Sequence, residues 1–185
     1  MDNAHHIELF PTSLWRWNSV LDMNDYDAIS TLEFDDKQEI NFKPLEDKII
    51  EATKQAMSLH FINDEYEIEL TEMWGNVTQP GIDHPFHTHP HNIFSGIYYI
   101  TPGQPTTFID PRLQNNVIIP KHKPNRFLDN LVEIDNIPNT LVMFNSWLPH
   151  FVRSNTSDTV RKTISFNIML RGDYGVPNSK AQVKF

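Results

Sequence analysis

The chain predicts a mainly β protein with flanking helices (α+β), built as a jelly-roll sandwich, and three observations carry that expectation. Apolar and polar residues alternate with period two over several short stretches between residues 66 and 170, as in strands buried on one face. Gly, Pro and Asn punctuate those stretches at short intervals, the spacing of an all-β sandwich. One stretch with clear helical spacing precedes them, which puts helices outside the strands rather than between them.

Leu9-Phe-Pro-Thr-Ser-Leu-Trp-Arg-Trp17 reads as an extended opening segment, with Trp15 and Trp17 on one face and expected in the core. Residues 24–39 are acidic and give a weak helix signal. A stronger helix starts at Pro44, a favoured first-turn residue, and runs to about His60. Leu45, Ile49, Ala52, Ala56 and Leu59 form its apolar stripe. Strands are expected over Tyr66–Asn76, Asn92–Thr101, Thr106–Asp110, Asn139–Phe144 and Val160–Leu170. Residues 111–137 carry prolines and basic residues and read as a long loop or lid. The expected organisation is a single domain over 1–185. Residues 1–65 form an extended and helical part packing outside the barrel, 66–170 the jelly-roll core, and 171–185 a loose tail.

Composition narrows the function classes. The chain has no cysteine, which excludes a disulfide scaffold, a thiolate metal site and a cysteine nucleophile. The net charge of −9 argues against nucleic-acid binding as the main task, because phosphate neutralisation dominates that affinity. No apolar run approaches the roughly 18 residues that span a membrane. The start lacks the basic and apolar segments of a signal peptide. A cytoplasmic protein without membrane contact is the expectation. A homodimer is an option the sequence leaves open.

The chemistry concentrates in Asp83-His-Pro-Phe-His-Thr-His-Pro-His91, which holds four of the nine histidines. His87 and His89 are spaced i, i+2 and so point to one side of a strand. His150 follows a distant strand-like run, Phe144-Asn-Ser-Trp-Leu-Pro149, and supplies a third imidazole. Three protein ligands leave coordination positions open on a catalytic transition metal. Gly81 followed by His87-x-His89 also opens the cupin metal motif, but Ile93 and Phe94 stand where that motif has glutamate. The facial-triad pattern of non-haem iron would have aspartate where His89 stands. Asp83 is adjacent but wrongly spaced, and reads as a turn residue.

Arg161 lies inside a strand, where an arginine is costly unless it is paired. Arg161, Thr163, Ser165 and Asn167 share one face; Val160, Ile164, Phe166 and Ile168 share the other, with Lys162 the exception. A guanidinium on an inward polar ladder suits a carboxylate ligand or a structural ion pair. Arg153 ranks second, since it sits in a turn-like stretch.

Three segments together resemble the 2-oxoglutarate/Fe(II)-dependent oxygenases that occur as short single-domain bacterial and phage proteins. They are His87-Thr-His-Pro-His-Asn-Ile-Phe-Ser-Gly-Ile-Tyr-Tyr99, Phe108-Ile-Asp-Pro-Arg112, and Leu141–His150 with Arg161-Lys-Thr-Ile-Ser-Phe-Asn167. The opening Leu9-Phe-Pro-Thr12 is similar to that family's start. The resemblance implies a double-stranded β-helix, Fe(II), 2-oxoglutarate and O2, and oxidative decarboxylation of the keto acid coupled to hydroxylation of an unknown substrate. It implies His87, His89 and His150 as metal ligands, and Arg161 with Thr163 as the grip on the far carboxylate of 2-oxoglutarate. Tyr98 or Tyr99 and Asn76 are further candidates for the cosubstrate, each with a packing or turn role as its alternative. Asp110 and Arg112 are expected to pair and shape the loop. Zinc suits three histidines as readily as iron. Two other readings stay open: a cupin-like three-histidine metalloprotein without 2-oxoglutarate, and a non-catalytic jelly-roll binding or assembly module.

Overall fold

The computed structural model describes residues 10–60, 62, 65–112, 120–125 and 127–185. Residues 1–9, part of the expected loop (113–119) and its Arg126 therefore lie outside the described residues, as does Leu9 of the expected opening strand.

The chain opens with strand β1 (Leu14–Asn18), helix α1 (Met23–Ser30) and helix α2 (Lys43–Leu59). Asp22 caps α1 by accepting from the Asp25 backbone N–H at 3.0 Å, which satisfies one of the helix's free donors. Pro44 sits in the first turn of α2. Leu45, Ile49, Ala52 and Ala56 of its apolar stripe are buried, whereas Leu59 is exposed at the helix end. Among the described residues ten strands follow: β2 (Glu67–Thr78), β3 (His84–His87), β4 (Phe94–Tyr99), β5 (Gly103–Ile109), β6 (Leu131–Asn136), β7 (Thr140–Asn145), β8 (His150–Val152), β9 (Arg161–Arg171), and β10 (Asp173–Tyr174) with β11 (Val183–Lys184) as a short ribbon.

The strands form a jelly-roll sandwich. A five-stranded antiparallel sheet runs β1-β7-β4-β9-β2, and a four-stranded sheet runs β3-β8-β5-β6. The larger sheet has two buried faces. Its outer face packs on the helices through Phe94, Tyr98, Leu141, Met143, Ile164, Phe166 and Ile168, against Ile29, Leu45, Ile49 and Ala56. Its inner face meets the smaller sheet through Ile97, Tyr99, Val142, Phe144 and Phe108. Trp15 joins the outer core edge-on to Phe94, with centroids 5.5 Å apart.

Two expectations change. The stretch 111–137 is not loop throughout, because Leu131–Asn136 is an edge strand paired with β5. The tail is not loose among its described residues. Beyond the β10–β11 pairing, Gly172 and Phe185 exchange backbone hydrogen bonds at 3.2 and 3.0 Å, and Tyr66 donates its hydroxyl to the Asp173 carbonyl at 2.9 Å.

Candidate metal centre and adjoining cavity

β3 and β8 pair antiparallel, with His87 directly opposite His150. Side chains of such a pair stand next to each other on one face, and the two rings lie 4.3 Å apart between centroids. His89, two residues further on, points to the same side. Its backbone N–H donates to the Ser146 carbonyl at 2.9 Å, which anchors the segment to the turn preceding β8. The candidate ligand atoms of His87, His89 and His150 all lie within 4.8 Å of one another. The Nε2 atoms of His89 and His150 are 3.4 Å apart.

The surroundings fix how each imidazole presents itself. Nδ1 of His87 lies 2.8 Å from the Pro85 carbonyl, and Nδ1 of His150 lies 3.0 Å from the Leu148 carbonyl. A carbonyl can only accept, so both Nδ1 atoms carry the proton and both Nε2 atoms are left with a lone pair. Burial is the main cause lowering the His150 pKa to about 3 and the His89 pKa to about 4, with the neighbouring histidines adding to it. Both rings are therefore neutral near pH 7, the form that binds metal. Phe144 and Phe108 flank His150, at 4.7 and 5.6 Å between centroids, and shield it on the core side.

The histidines open onto a cavity of about 620 Å³. Its floor is the inward face of β2 and β9, where Asn76 pairs with Thr163 and Thr78 with Arg161. Arg161 is 1% exposed. Its Nε lies 3.3 Å from the Gln104 carbonyl; turning the Asn136 amide gives it a second acceptor at 3.0 Å. Its Nη2 is buried with no partner. The guanidinium lies 5.8 Å from the centre of the Tyr99 ring, and desolvation lowers its pKa. Asn76 donates to Ser165 Oγ at 2.9 Å and to Thr163 Oγ1 at 3.5 Å.

The structure thus brings His87, His89, His150, Arg161, Thr163 and Asn76 to one cavity. It does not bring Tyr98 there. Alternation along β4 turns Tyr98 into the helix-side core, where its hydroxyl donates to Asn139 at 2.9 Å. The inward partner is Tyr99, hydrogen-bonded to Thr106 at 2.8 Å. Asp83 is exposed and outside the ligand group. Arg153 reaches Glu133 instead, at 3.4 Å. Asp110 and Arg112 pair at 2.8 Å. Lys162, the exception on the outer face, reaches Glu33 at 3.3 Å. His91 is exposed and stays out of the group.

Sequence reasoning did not assign a role to His84, which lines the cavity and stacks on His87 at 4.7 Å. At i−3 from His87, strand alternation would turn it to the opposite face; the irregular β3–β8 register between the two residues lets both rings meet. No carboxylate joins the three-histidine group among the described residues.

Comparisons with known proteins agree on the architecture. A family model described as "Putative 2OG-Fe(II) oxygenase" matches residues 72–167. No curated protein matches the chain in sequence. A prolyl-4-hydroxylase of Pseudomonas putida superposes with a TM-score of 0.58 at 12% identity, covering 87% of this chain and 89% of that one. AviO1 of Streptomyces viridochromogenes gives 0.57 at 11% identity, covering 93% of each chain. HygX of Streptomyces hygroscopicus, solved with nickel and 2-oxoglutarate bound, gives 0.56 at 11% identity, covering 85% of this chain and 82% of that one. At such identities these likenesses show the fold.

Proposed function

The chain belongs to the 2OG-Fe(II) oxygenase family matched over residues 72–167, and from that premise we propose that it is a non-haem Fe(II)- and 2-oxoglutarate-dependent oxygenase of the hydroxylase type. His87, His89 and His150 would hold the iron, and Arg161, Thr163 and Asn76 would hold the keto acid. When bound, Fe(II) and 2-oxoglutarate would supply the electrons that activate O2, the oxidant, toward a substrate C–H bond.

The chain's own residues prepare that chemistry. The Pro85 and Leu148 carbonyls fix two ring orientations, leaving lone pairs on the ligand side. Burial keeps His89 and His150 unprotonated at working pH. Phe108 and Phe144 exclude water from the back of the site. Asn76, braced on Ser165 and Thr163, keeps the floor beside Arg161 polar.

One observation carries the reading. Arg161 is almost fully buried, has an unpartnered Nη2 and no acidic partner among the described residues, and lines the same cavity as the three histidines. A buried guanidinium is retained at such a cost when a carboxylate ligand completes it. HygX, a structural neighbour solved with 2-oxoglutarate bound, is consistent with that assignment.

The absence of a carboxylate from the ligand group among the described residues favours a second reading, a three-histidine metalloprotein that works without a keto acid. Calorimetric titration of 2-oxoglutarate into anaerobically Fe(II)-loaded protein separates the two. On the first reading wild type binds, and Arg161→Ala retains the metal but weakens keto-acid binding by about 2–5 kcal/mol. His150→Ala loses the metal. Wild type that holds iron yet ignores 2-oxoglutarate would establish the second reading.

A further inference from the structure

The cavity is electrically polarised along its length. The inward face of β2 carries Glu72, Trp74, Asn76 and Thr78, paired in register with Asn167, Ser165, Thr163 and Arg161 of β9. Arg161 marks one end and Glu72 the other, a separation of roughly 20 Å at the rise of a strand.

The segment 37–40, which runs antiparallel alongside β2, places Lys37 and Glu39 on the cavity with the same polarity. Lys37, whose backbone N–H donates to the Gly75 carbonyl at 2.8 Å, lies toward the Arg161 end; Arg161 and Lys37 act on His84 against the neighbouring Asp36, whose carboxylate accepts from the Val77 backbone N–H at 3.1 Å and does not line the cavity. Glu39, bridged to Trp74, lies toward the Glu72 end. Both carboxylates line the cavity. Among the described residues Glu39 has no side-chain ion-pair or hydrogen-bond partner, and the Glu72 carboxylate accepts one side-chain hydrogen bond, from the Asn167 amide at 2.8 Å. Trp74 lies between them, 6.0 Å from the His89 ring.

The unpartnered, buried Arg161 Nη2 marks the basic end for an anion. What remains beside His89 is an indole with two carboxylates. An indole face and nearby carboxylates select a cation, by cation–π attraction and charge-assisted hydrogen bonds. We propose that the substrate oxidised here is an organic cation, bearing an ammonium or guanidinium group received by Glu72 and Glu39 over Trp74. The inference rests on the oxygenase reading of the same cavity, and it names the class of molecule that enters from the acidic end. The cation is either a free amine or a basic side chain of a peptide.

Zn(II)-loaded protein, which holds the site without turning over, provides the test. Butylammonium, butylguanidinium, butanol and butyrate are titrated with ligand-observed NMR, and 2-oxoglutarate is titrated separately in the same samples. The two cations should bind about tenfold tighter than butanol, and butyrate should not compete with them. Glu39→Gln with Glu72→Gln should remove that preference while leaving 2-oxoglutarate binding unchanged. Glu39→Gln alone, at an exposed side chain, should remove part of it and serves if the double variant misfolds. A blocked Gly-Lys-Gly peptide binding tighter than butylammonium assigns the cation to a peptide; equal or weaker binding assigns it to a free amine. Equal binding of butanol and butylammonium, or a cation preference that survives both substitutions, overturns the proposal. If cations bind and 2-oxoglutarate does not, the cosubstrate reading falls and the cation site stands; the reverse result removes the cation site alone.

Discussion

Arg161, the proposed grip on the keto acid, is held at the expense of the fold. Its guanidinium is buried with one nitrogen unpartnered, and burial of an unpaired charge is destabilising. Arg161→Met should therefore raise the stability of the ligand-free protein by about 1–3 kcal/mol. At this chain length that is a gain of roughly 2–4 °C in Tm per kcal/mol. A thermal melt that instead shows a loss would mean that the guanidinium is satisfied within the fold. Period-two reading located Arg161, Thr163, Ser165 and Asn167 from the sequence, because the opposite face of β9 is apolar and the contrast is visible. It could not choose between Tyr98 and Tyr99. Every residue of β4 is buried, so both faces read as apolar, and no polar side marks the interior.

At the level of elements, the central position of β4 sets a tight packing limit. A Cβ at Gly96 would lie 2.2 Å from Phe166 Cζ and 2.6 Å from the Val142 carbonyl oxygen. The ring could shift, but the backbone oxygen belongs to the neighbouring strand β7 and cannot move without breaking the ladder. Gly96→Ala should cost about 3 kcal/mol, measured as a lowered midpoint in urea. An unchanged midpoint would show that the β4–β7 spacing is softer than the structure indicates. Long elements with one clear period, α2 and β9, were legible within a residue or two. The edge strand β6 was not, because its alternation mixes charged Glu133 and Asp135 with exposed Leu131 and Val132. The nearby prolines at 120 and 124 made the whole stretch read as loop. The strand carrying His87 had no bounds in the sequence, because β3 is four residues long, has an irregular register with β8, and contains a proline.

At the scale of the whole molecule, the sandwich holds three of its histidines in neutral form, His150 buried and His84 and His89 half-buried, which ties stability to pH. Burial lowers His84 and His89 to about 4 and His150 to about 3 from the ordinary 6.5. Between those values and 6.5 the unfolded chain binds more protons than the fold, so stability falls as pH drops through that window. At about 1.4 kcal/mol per unit of depression, with the half-buried His84 and His89 discounted for solvent screening, the loss is on the order of a few kcal/mol, most of it from His150. Urea titrations of metal-free protein from pH 7 to 4 should show it, and His150→Asn should flatten the slope; an identical slope in the variant would remove His150 from this account. Among the described residues no helix is long and apolar enough to cross a membrane. The sequence contained the three-histidine pattern and the sandwich that assembles it. It did not contain the cavity's polarity, which arises from the register of β2 against β9 and from the segment alongside β2 that holds Lys37 and Glu39. The most direct measurement is an anaerobic crystal structure with Fe(II) and 2-oxoglutarate. The account requires one iron on Nε2 of His87, His89 and His150, with the far carboxylate of 2-oxoglutarate on Arg161. An iron bound elsewhere, or a keto acid that leaves Arg161 untouched, would contradict it.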